Sequence, residues 1–340
     1  MQPRKIVRYL GLVVAFLGLF MATSLVWAAL DRHVHPDGLQ AWLLSVVLTL
    51  GIGGVGWLYG RSAPKSRQRS SSRAVGVAHD VELNRREALV IVSGSWLLCG
   101  IFAGLPLLLD GMVTHPVDAF FEATSGFTTT GSTILTDIEG NSRASLWWRS
   151  LIQWLGGMGI IVLFVAIFPQ TGSGGRKLFE SEAPGPTKDQ LRPRARETGL
   201  VLWRIYAGFT VTLGSLLMLQ GMSFFDAACH AFTTMATGGF STRNASVAGF
   251  ESASIEWTIT IFMLFAGVNF GLYYAVRRGR SLRMLRDPEL FTYLMMFSVS
   301  TLAIAWFVLP TYDHEPMEAL RYSAFQVASL VTSTGFGTAD

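Results

Sequence analysis

The apolar positions of this chain come in long uninterrupted blocks, without the alternation that marks half-buried strands. A helix needs roughly 20 apolar residues to cross a hydrocarbon core of about 30 Å. Seven blocks have about this length, and we predict a crossing at each: 6–30, 41–60, 88–109, 147–168, 199–221, 255–276 and 290–310. The predicted fold is therefore an all-α polytopic membrane protein.

The first block has a second interpretation. Arg4, Lys5 and Arg8 precede an apolar run and the small-residue stretch VWAAL, a pattern that is also typical of a cleaved signal peptide. The apolar run is long for a signal peptide, so we favour a retained helix.

Basic residues between the blocks predict the orientation. Segments 1–8, 61–88, 169–198 and 277–288 hold 21 of the 27 Lys and Arg residues. Because short cytoplasmic loops carry the excess of basic residues, we predict a cytoplasmic N-terminus. The same stretches resemble nucleic-acid patches, but beside membrane spans they indicate topology and contact with anionic lipid headgroups. No nucleic-acid partner is expected.

Three outer connections share a pattern. Each has a short apolar stretch and a tail rich in Thr and Gly: PVDAFFEATSGFTTTGST, SFFDAACHAFTTMATGGFST and MEALRYSAFQVASLVTSTGFGT. With Gly131, Gly239 and Gly335 aligned, Asp118 and Asp226 coincide thirteen positions upstream. Nine positions upstream, each copy has a polar residue: Glu122, His230 and Gln326. The alignment predicts an internal repeat.

The predicted repeat unit is a spanning helix, a short re-entrant pore helix with its tail, and a second spanning helix, arranged around a central pore. Residues 1–79 would hold two extra helices and a cytoplasmic linker, 80–189 the first repeat, 190–285 the second, and 286–340 a partial third. A fourth repeat is absent from these residues, so we expect the sequence to be incomplete. Because all three half-helices enter from one face, they favour a pore over a carrier built from inverted repeats.

The tails predict an ion filter. Non-helical backbone at membrane depth must be buried in protein or line a watery path. Glycine allows consecutive carbonyls to face one axis, where they can replace the hydration shell of a cation. STGFGT at 333–338 has the shape of the potassium-channel filter TVGYG. The candidate ligands are the backbone carbonyls of Thr129, Thr130, Gly131, Thr237, Gly238, Gly239, Ser333, Thr334 and Gly335.

Several assignments stay open. Either Gly238 or Gly239 is the glycine that matches Gly131. Three polar residues either brace the filter or face an outer vestibule: Glu122, His230 and Gln326. Asn269 lies in an apolar run, where an interhelical hydrogen bond is favoured over a role as ion ligand.

No catalytic centre is predicted. An intramembrane hydrolase needs clustered His, Asp, Ser or Cys residues on facing helices. The histidines of this chain are scattered instead: His33, His35, His79, His115, His230 and His314. We therefore do not expect an enzyme.

These segments resemble the Trk/Ktr/HKT superfamily of bacterial, fungal and plant potassium transporters, most closely its TrkH type of membrane subunit. The resemblance is carried by FFEATSGFTTTGST, SLIQWLGGMGIIVLFVAIFP, TTMATGGFSTRNAS and STGFGTAD. It implies potassium uptake across the plasma membrane, the inner membrane in bacteria, through a carbonyl-lined filter. It also implies K⁺ as the transported ion, no bound cofactor, a homodimer, and a cytoplasmic nucleotide-binding regulatory subunit of the TrkA type.

The resemblance also bears on selectivity. Plant relatives that prefer sodium have serine in place of the first-loop glycine, which is Gly131 here. This favours potassium. The alternatives are a sodium-permeable transporter of the same superfamily and a polytopic solute carrier without a pore.

Overall fold

The computed structural model describes residues 2–61, 85–159, 195–277 and 286–338, and every regular element in these ranges is helical. The α-helices are α1 (Pro3–Met21), α2 (Ser24–Leu30), α3 (Gly38–Arg61), α4 (Arg85–Leu109), α5 (Pro116–Phe127), α6 (Arg143–Gly157), α7 (Ala195–Leu219), α8 (Phe224–Met235), α9 (Ala253–Gly267), α10 (Phe270–Arg277), α11 (Pro288–Val308) and α12 (Pro316–Val331). Two 3₁₀ helices, Ser246–Phe250 and Leu309–Tyr312, complete them. The all-α prediction is confirmed.

Five segments of the described chain are long and apolar enough to cross a membrane. They are Pro3–Leu30, Gly38–Arg61, Arg86–Leu109, Gly199–Leu219 and Pro288–Tyr312, and each coincides with a predicted crossing. The first of them is α1 and α2 together, separated by a turn at residues 22–23. The predicted crossing at 147–168 starts inside α6, and its remainder, from residue 160, lies outside the described residues. Much of the predicted basic segments 61–88 and 169–198 also lies outside them.

The block at 255–276 does not form the single helix that we predicted. Helix α9 ends at Gly267, and Val268 is extended, with ψ of 140°. Asn269 then starts α10, because its Oδ1 accepts the N–H of Gly271 at 3.0 Å. Its Nδ2 lies 3.5 Å from a carboxylate oxygen of Glu289 at the start of α11. The predicted interhelical contact of Asn269 is therefore present at the outer limit of hydrogen-bond length, beside a helix cap.

Two tyrosines compensate for this break. The carbonyl of Leu264 accepts the hydroxyl of Tyr293 at 3.2 Å, and the carbonyl of Phe265 accepts that of Tyr273 at 2.8 Å. Carbonyls in the last turn of a helix lack intrahelical partners. Partners from outside α9 therefore make an interruption in the apolar block tolerable.

Glycines allow α1 and α3 to pack backbone against backbone. A Cβ added to Gly11 would lie 2.6 Å from the backbone nitrogen of Trp57, and one added to Gly53 would overlap the backbone of Ala15. Small residues permit this close approach between membrane helices, where van der Waals packing drives association. The first apolar block is thus packed tightly on the second.

The three re-entrant helices are short. Helices α5 and α8 have 12 residues each, or about 18 Å at 1.5 Å per residue. Helix α12 has 16 residues, or about 24 Å. In all three an acidic residue occupies the third helical position, where it complements the positive end of the helix dipole: Asp118, Asp226 and Glu318. All three helices end four residues before the aligned glycines, so the third is about one turn longer at its N-terminal end.

We expect Gly53→Val to destabilise the protein by about 3 kcal/mol, because overpacking against backbone atoms cannot be relieved by rotating a side chain. The measurement is the melting temperature of the purified protein in detergent. Gly54→Val is the matched control, since a Cβ at Gly54 meets nothing within 4 Å. Equal melting temperatures for the two variants would contradict the packing described here.

Candidate functional site

The re-entrant helices end in the same turn, which leads into three loops that we call loop 1 (128–133), loop 2 (236–241) and loop 3 (332–337). The second residue of each loop is left-handed: Thr129, Thr237 and Ser333 have φ of 53°, 50° and 56°. In each turn the N–H of this residue bonds the carbonyl three positions back, and the next N–H bonds the carbonyl five positions back. This is a Schellman motif with a hydroxyl residue where glycine is usual. Each such residue stores strain of about 1 kcal/mol.

A second left-handed residue follows two positions later in every loop. Gly131, Gly239 and Gly335 have φ of 75°, 74° and 87°, whereas Gly238 is outside this region. Gly239, and not Gly238, is therefore in register with the other two glycines. Left-handed backbone is open to glycine at no steric cost, which accounts for this residue type at all three positions.

The loops meet each other in chain order. A Cβ on Gly131 would overlap the carbonyl oxygen of Gly238 and would lie 3.8 Å from that of Thr334. A Cβ on Gly239 would overlap the carbonyl oxygen of Thr334. The glycines of loops 1 and 2 thus each lie against a carbonyl of the next loop. The structure therefore brings all three candidate segments to one place.

The glycine of loop 3 has no such carbonyl neighbour among the described residues. Within the described part of the chain, a Cβ on Gly335 would meet nothing within 4 Å. Gly131 and Gly239 are sterically closed at the equivalent point. Within the described residues, loops 1 to 3 are therefore adjacent in chain order, with loop 2 between the other two.

Glu122 on α5 is fully buried and reaches the far end of loop 1. Its Oε1 accepts the hydroxyl of Thr133 and the Nε of Arg149, both at 2.8 Å. Its Oε2 accepts the backbone N–H of Ile134 at 3.3 Å. The guanidinium of Arg149 is also buried and makes an ion pair with Glu122 at 2.6 Å. A buried charge is tolerated only when it is paired and hydrogen-bonded, and both conditions hold for this pair.

His230 on α8 reaches the equivalent end of loop 2. Its Nε2 lies 3.0 Å from the hydroxyl of Ser241, and its Nδ1 lies 2.8 Å from the carbonyl of Asp226. Its ring stacks on Phe336 of loop 3 at a centroid distance of 5.8 Å. Like Glu122, it contacts the residue eleven positions further on, so the two helices use the same register.

Gln326 departs from this register. It is half-buried in α12, and the residue eleven positions on is Gly337, which has no side chain to hold. The 3₁₀ helix Ser246–Phe250 contacts loop 3 at this point instead. The N–H of Gly337 donates to the hydroxyl of Ser246 at 3.2 Å, and its carbonyl accepts the N–H of Ala248 at 3.3 Å.

Helix α6 contributes two side chains that the sequence analysis missed. Gln153 donates from Nε2 to the carbonyl of Gly238 at 2.7 Å and accepts the N–H of Phe240 at 3.2 Å. Arg149, one turn earlier, lies over the Phe240 ring at 4.0 Å from its centroid. The available signal was a pair of polar residues four apart in an apolar block, which places them on one helix face.

The segments that follow loops 1 and 2 are hydrogen-bonded to each other. Asn244 accepts the N–H of Ile138 at 2.6 Å and donates from Nδ2 to Asp137 at 3.2 Å. This hydrogen bond, together with one from the N–H of Gly140, lowers the pKa of the Asp137 carboxyl. The segments that follow loops 1 and 2 are thereby joined to each other.

Comparison with known proteins defines the family. The model of the TrkH family, described as cation transport protein, matches residues 69–340. The chain belongs to the TrkH family. A Trk system potassium uptake protein TrkH of Halomonas elongata is 40% identical over 100% of this chain and 67% of its own length. TrkH of Escherichia coli K12 is 37% identical over 99% of this chain and 67% of its own length.

A solved TrkH structure has the same fold. The crystal structure of the potassium transporter TrkH from Vibrio parahaemolyticus aligns with a TM-score of 0.78 and 29% identity, covering 100% of this chain and 66% of that one. The chain thus spans about two thirds of the length of these TrkH relatives. As a TrkH family member with long apolar helices, it is a multi-pass membrane protein of a transporter family and not an enzyme.

We expect Glu122→Ala to destabilise the protein by about 3–5 kcal/mol, because it leaves the buried Arg149 guanidinium without a counter-charge. Replacing both partners, with Glu122→Leu and Arg149→Met, should recover much of this loss. The measurement is thermal unfolding of the purified protein in detergent.

Asp118→Ala on the same helix serves as the control. It removes a half-buried carboxylate whose interaction with the helix dipole is worth less than about 1 kcal/mol. Equal melting temperatures for Glu122→Ala and this control would contradict the role assigned to the Glu122–Arg149 pair. A double variant that is less stable than Glu122→Ala would contradict it as well.

Proposed function

We propose that this chain takes up potassium across the plasma membrane as the pore-forming subunit of a Trk-type system, with loops 1, 2 and 3 as parts of its selectivity filter. The observation that carries the proposal is the convergence of the three loops. Each enters from a half-length helix, has two left-handed residues in the same register, and places its glycine or a carbonyl against its neighbour. A ring of backbone carbonyls can replace the hydration shell of K⁺.

The half-helices supply electrostatic support. Helices α5, α8 and α12 all end where the loops begin, so their C-terminal ends are directed at the proposed filter. The C-terminal end of a helix carries a partial negative charge, which is favourable beside a cation. Three such ends reinforce the carbonyls at one place without adding any titratable group.

The ligands we propose are the nine carbonyls of Thr129, Thr130, Gly131, Thr237, Gly238, Gly239, Ser333, Thr334 and Gly335. Glu122 and His230 would brace loops 1 and 2 through Thr133 and Ser241. A fourth loop beside Gly335 would continue the series of glycine-to-carbonyl contacts and close the ring.

The proposed orientation, membrane and partners rest on the basic residues and on the relatives. Basic segments between the crossings support a cytoplasmic N-terminus. Similarity to Trk system potassium uptake proteins of bacteria supports a location in the bacterial inner membrane. By resemblance, a homodimer and a cytoplasmic nucleotide-binding regulatory subunit of the TrkA type complete the proposed system.

The test is rescue of a potassium-uptake-deficient bacterium on low-potassium medium. We expect the wild-type protein, expressed through the full reading frame of its gene, to rescue growth. Gly131→Asp should abolish rescue, because its side chain would overlap the Gly238 carbonyl and place a carboxylate among the loops. Potassium uptake is measured directly in the same cells.

Gly111→Asp is the matched control. Gly111 also has a positive φ, of 80°, but a Cβ there meets nothing within 4 Å, so rescue should survive. Membrane expression of each protein is checked by immunoblot. If the wild-type protein reaches the membrane but drives sodium uptake and not potassium uptake, the sodium-permeable alternative replaces the proposal. If neither ion is taken up, the solute-carrier alternative replaces the proposal.

A further inference from the structure

Loops 1 and 3 contain a pair of threonines that loop 2 lacks. The hydroxyls of Thr128 and Thr130 lie 2.7 Å apart, and those of Thr332 and Thr334 lie 2.6 Å apart. In both pairs the first hydroxyl also donates to the carbonyl four positions back. These pairs connect the end of the half-helix to the residue before the glycine.

In loop 2 the equivalent positions are Ala236 and Gly238, which have no hydroxyl. The space is filled by Gln153 of α6. A Cβ on Gly238 would lie between 2.5 and 2.8 Å from the three terminal atoms of the Gln153 side chain. The φ of Gly238 is outside the left-handed region. This glycine is therefore required by the neighbouring side chain rather than by its own backbone.

The Gln153 amide does more than fill space. It is fully buried, and its two hydrogen bonds, to the carbonyl of Gly238 and from the N–H of Phe240, flank Gly239. Because Gln153 belongs to the first repeat, it positions the loop of the second repeat from outside. A carbonyl has two lone pairs, and one of those of Gly238 is engaged by this amide.

We propose that Gln153 is a positioning residue that determines ion discrimination, by holding the loop 2 backbone where loops 1 and 3 use a threonine pair. This inference rests on the proposed function. Among the described residues, the structure gives a side-chain hydrogen bond to the carbonyl of Gly238 and none to those of Thr130 and Thr334. The proposed filter is therefore chemically unequal around its ring, and Gln153 sets the difference.

The proposal predicts reciprocal rescue between α6 and loop 2. Gln153→Ala frees the Gly238 carbonyl and loosens loop 2, so the ratio of potassium to sodium uptake should fall by about tenfold, the equivalent of one hydrogen bond. Ala236→Thr with Gly238→Thr gives loop 2 the threonines of loops 1 and 3 but clashes with Gln153, so uptake should be lost. The triple variant should regain both uptake and discrimination, because the hydroxyl pair then occupies the vacated space.

Gln153→Glu is a second variant that keeps the shape of the side chain. It retains the acceptor for Phe240 but, when ionised, has no proton to donate to Gly238, so discrimination should fall, and the melting temperature should fall as well because the buried carboxylate has no counter-charge. Gln220→Ala is the control, since the Gln220 amide bonds Thr258 at 2.7 Å and not a loop. Its uptake ratio should equal that of the wild type.

Two readouts separate this inference from the proposed function. Uptake of potassium and sodium is measured in cells, and the melting temperatures of all variants are measured on purified protein without any transport. If the triple variant is no better than the loop 2 variant in melting temperature, Gln153 and loop 2 are not complementary and the proposal is overturned. If stability is rescued but Gln153→Ala and Gln153→Glu keep wild-type discrimination, Gln153 is structural only and the proposal is also overturned. If the wild-type protein moves no potassium, the proposed function fails first.

Discussion

The loops depend on one constraint, which is that buried backbone polar groups of a membrane protein need hydrogen-bond partners within the protein. Loops 1 and 3 meet it with a serine in the half-helix. The hydroxyl of Ser125 donates to the carbonyl of Ser132 at 2.6 Å, and that of Ser329 donates to the carbonyl of Phe336 at 2.8 Å. Loop 2 receives its bonds from Gln153 instead. Short hydroxyl and amide side chains are therefore as necessary to these loops as their glycines.

The same constraint explains why a salt bridge can lie so close to a proposed cation path. A lone guanidinium at Arg149 would repel any cation among the loops, since charges interact strongly where water is excluded. Glu122 neutralises it at 2.6 Å, and the Phe240 ring covers it. The pair fixes loop 1 to loop 2 while leaving no net charge between them. The pair therefore positions the loops, and in the proposed filter the attraction for cations comes from carbonyls and helix ends.

Much of the fold could be predicted from block length and internal repetition. Five crossings follow from apolar length alone, and the three half-helices follow from aligned glycines. The break after α9 could not be predicted, because it depends on Tyr293, a residue of another helix that supplies the missing hydrogen bond. The contact of Gln153 with Gly238 joins residues 85 positions apart, outside the repeat. The internal repeat in the sequence predicts the features that its copies share, but it does not predict a contact that one copy makes with another.

The contacts between the loops run in one direction, from loop 1 through loop 2 to loop 3. The glycine of loop 1 lies against the carbonyl of Gly238 in loop 2, and Gly239 lies against that of Thr334 in loop 3. Loop 2 supplies both the carbonyl that lies against Gly131 and the glycine that lies against Thr334. A displacement of its backbone would therefore reach both neighbours at once, so the three loops are mechanically coupled through the middle one.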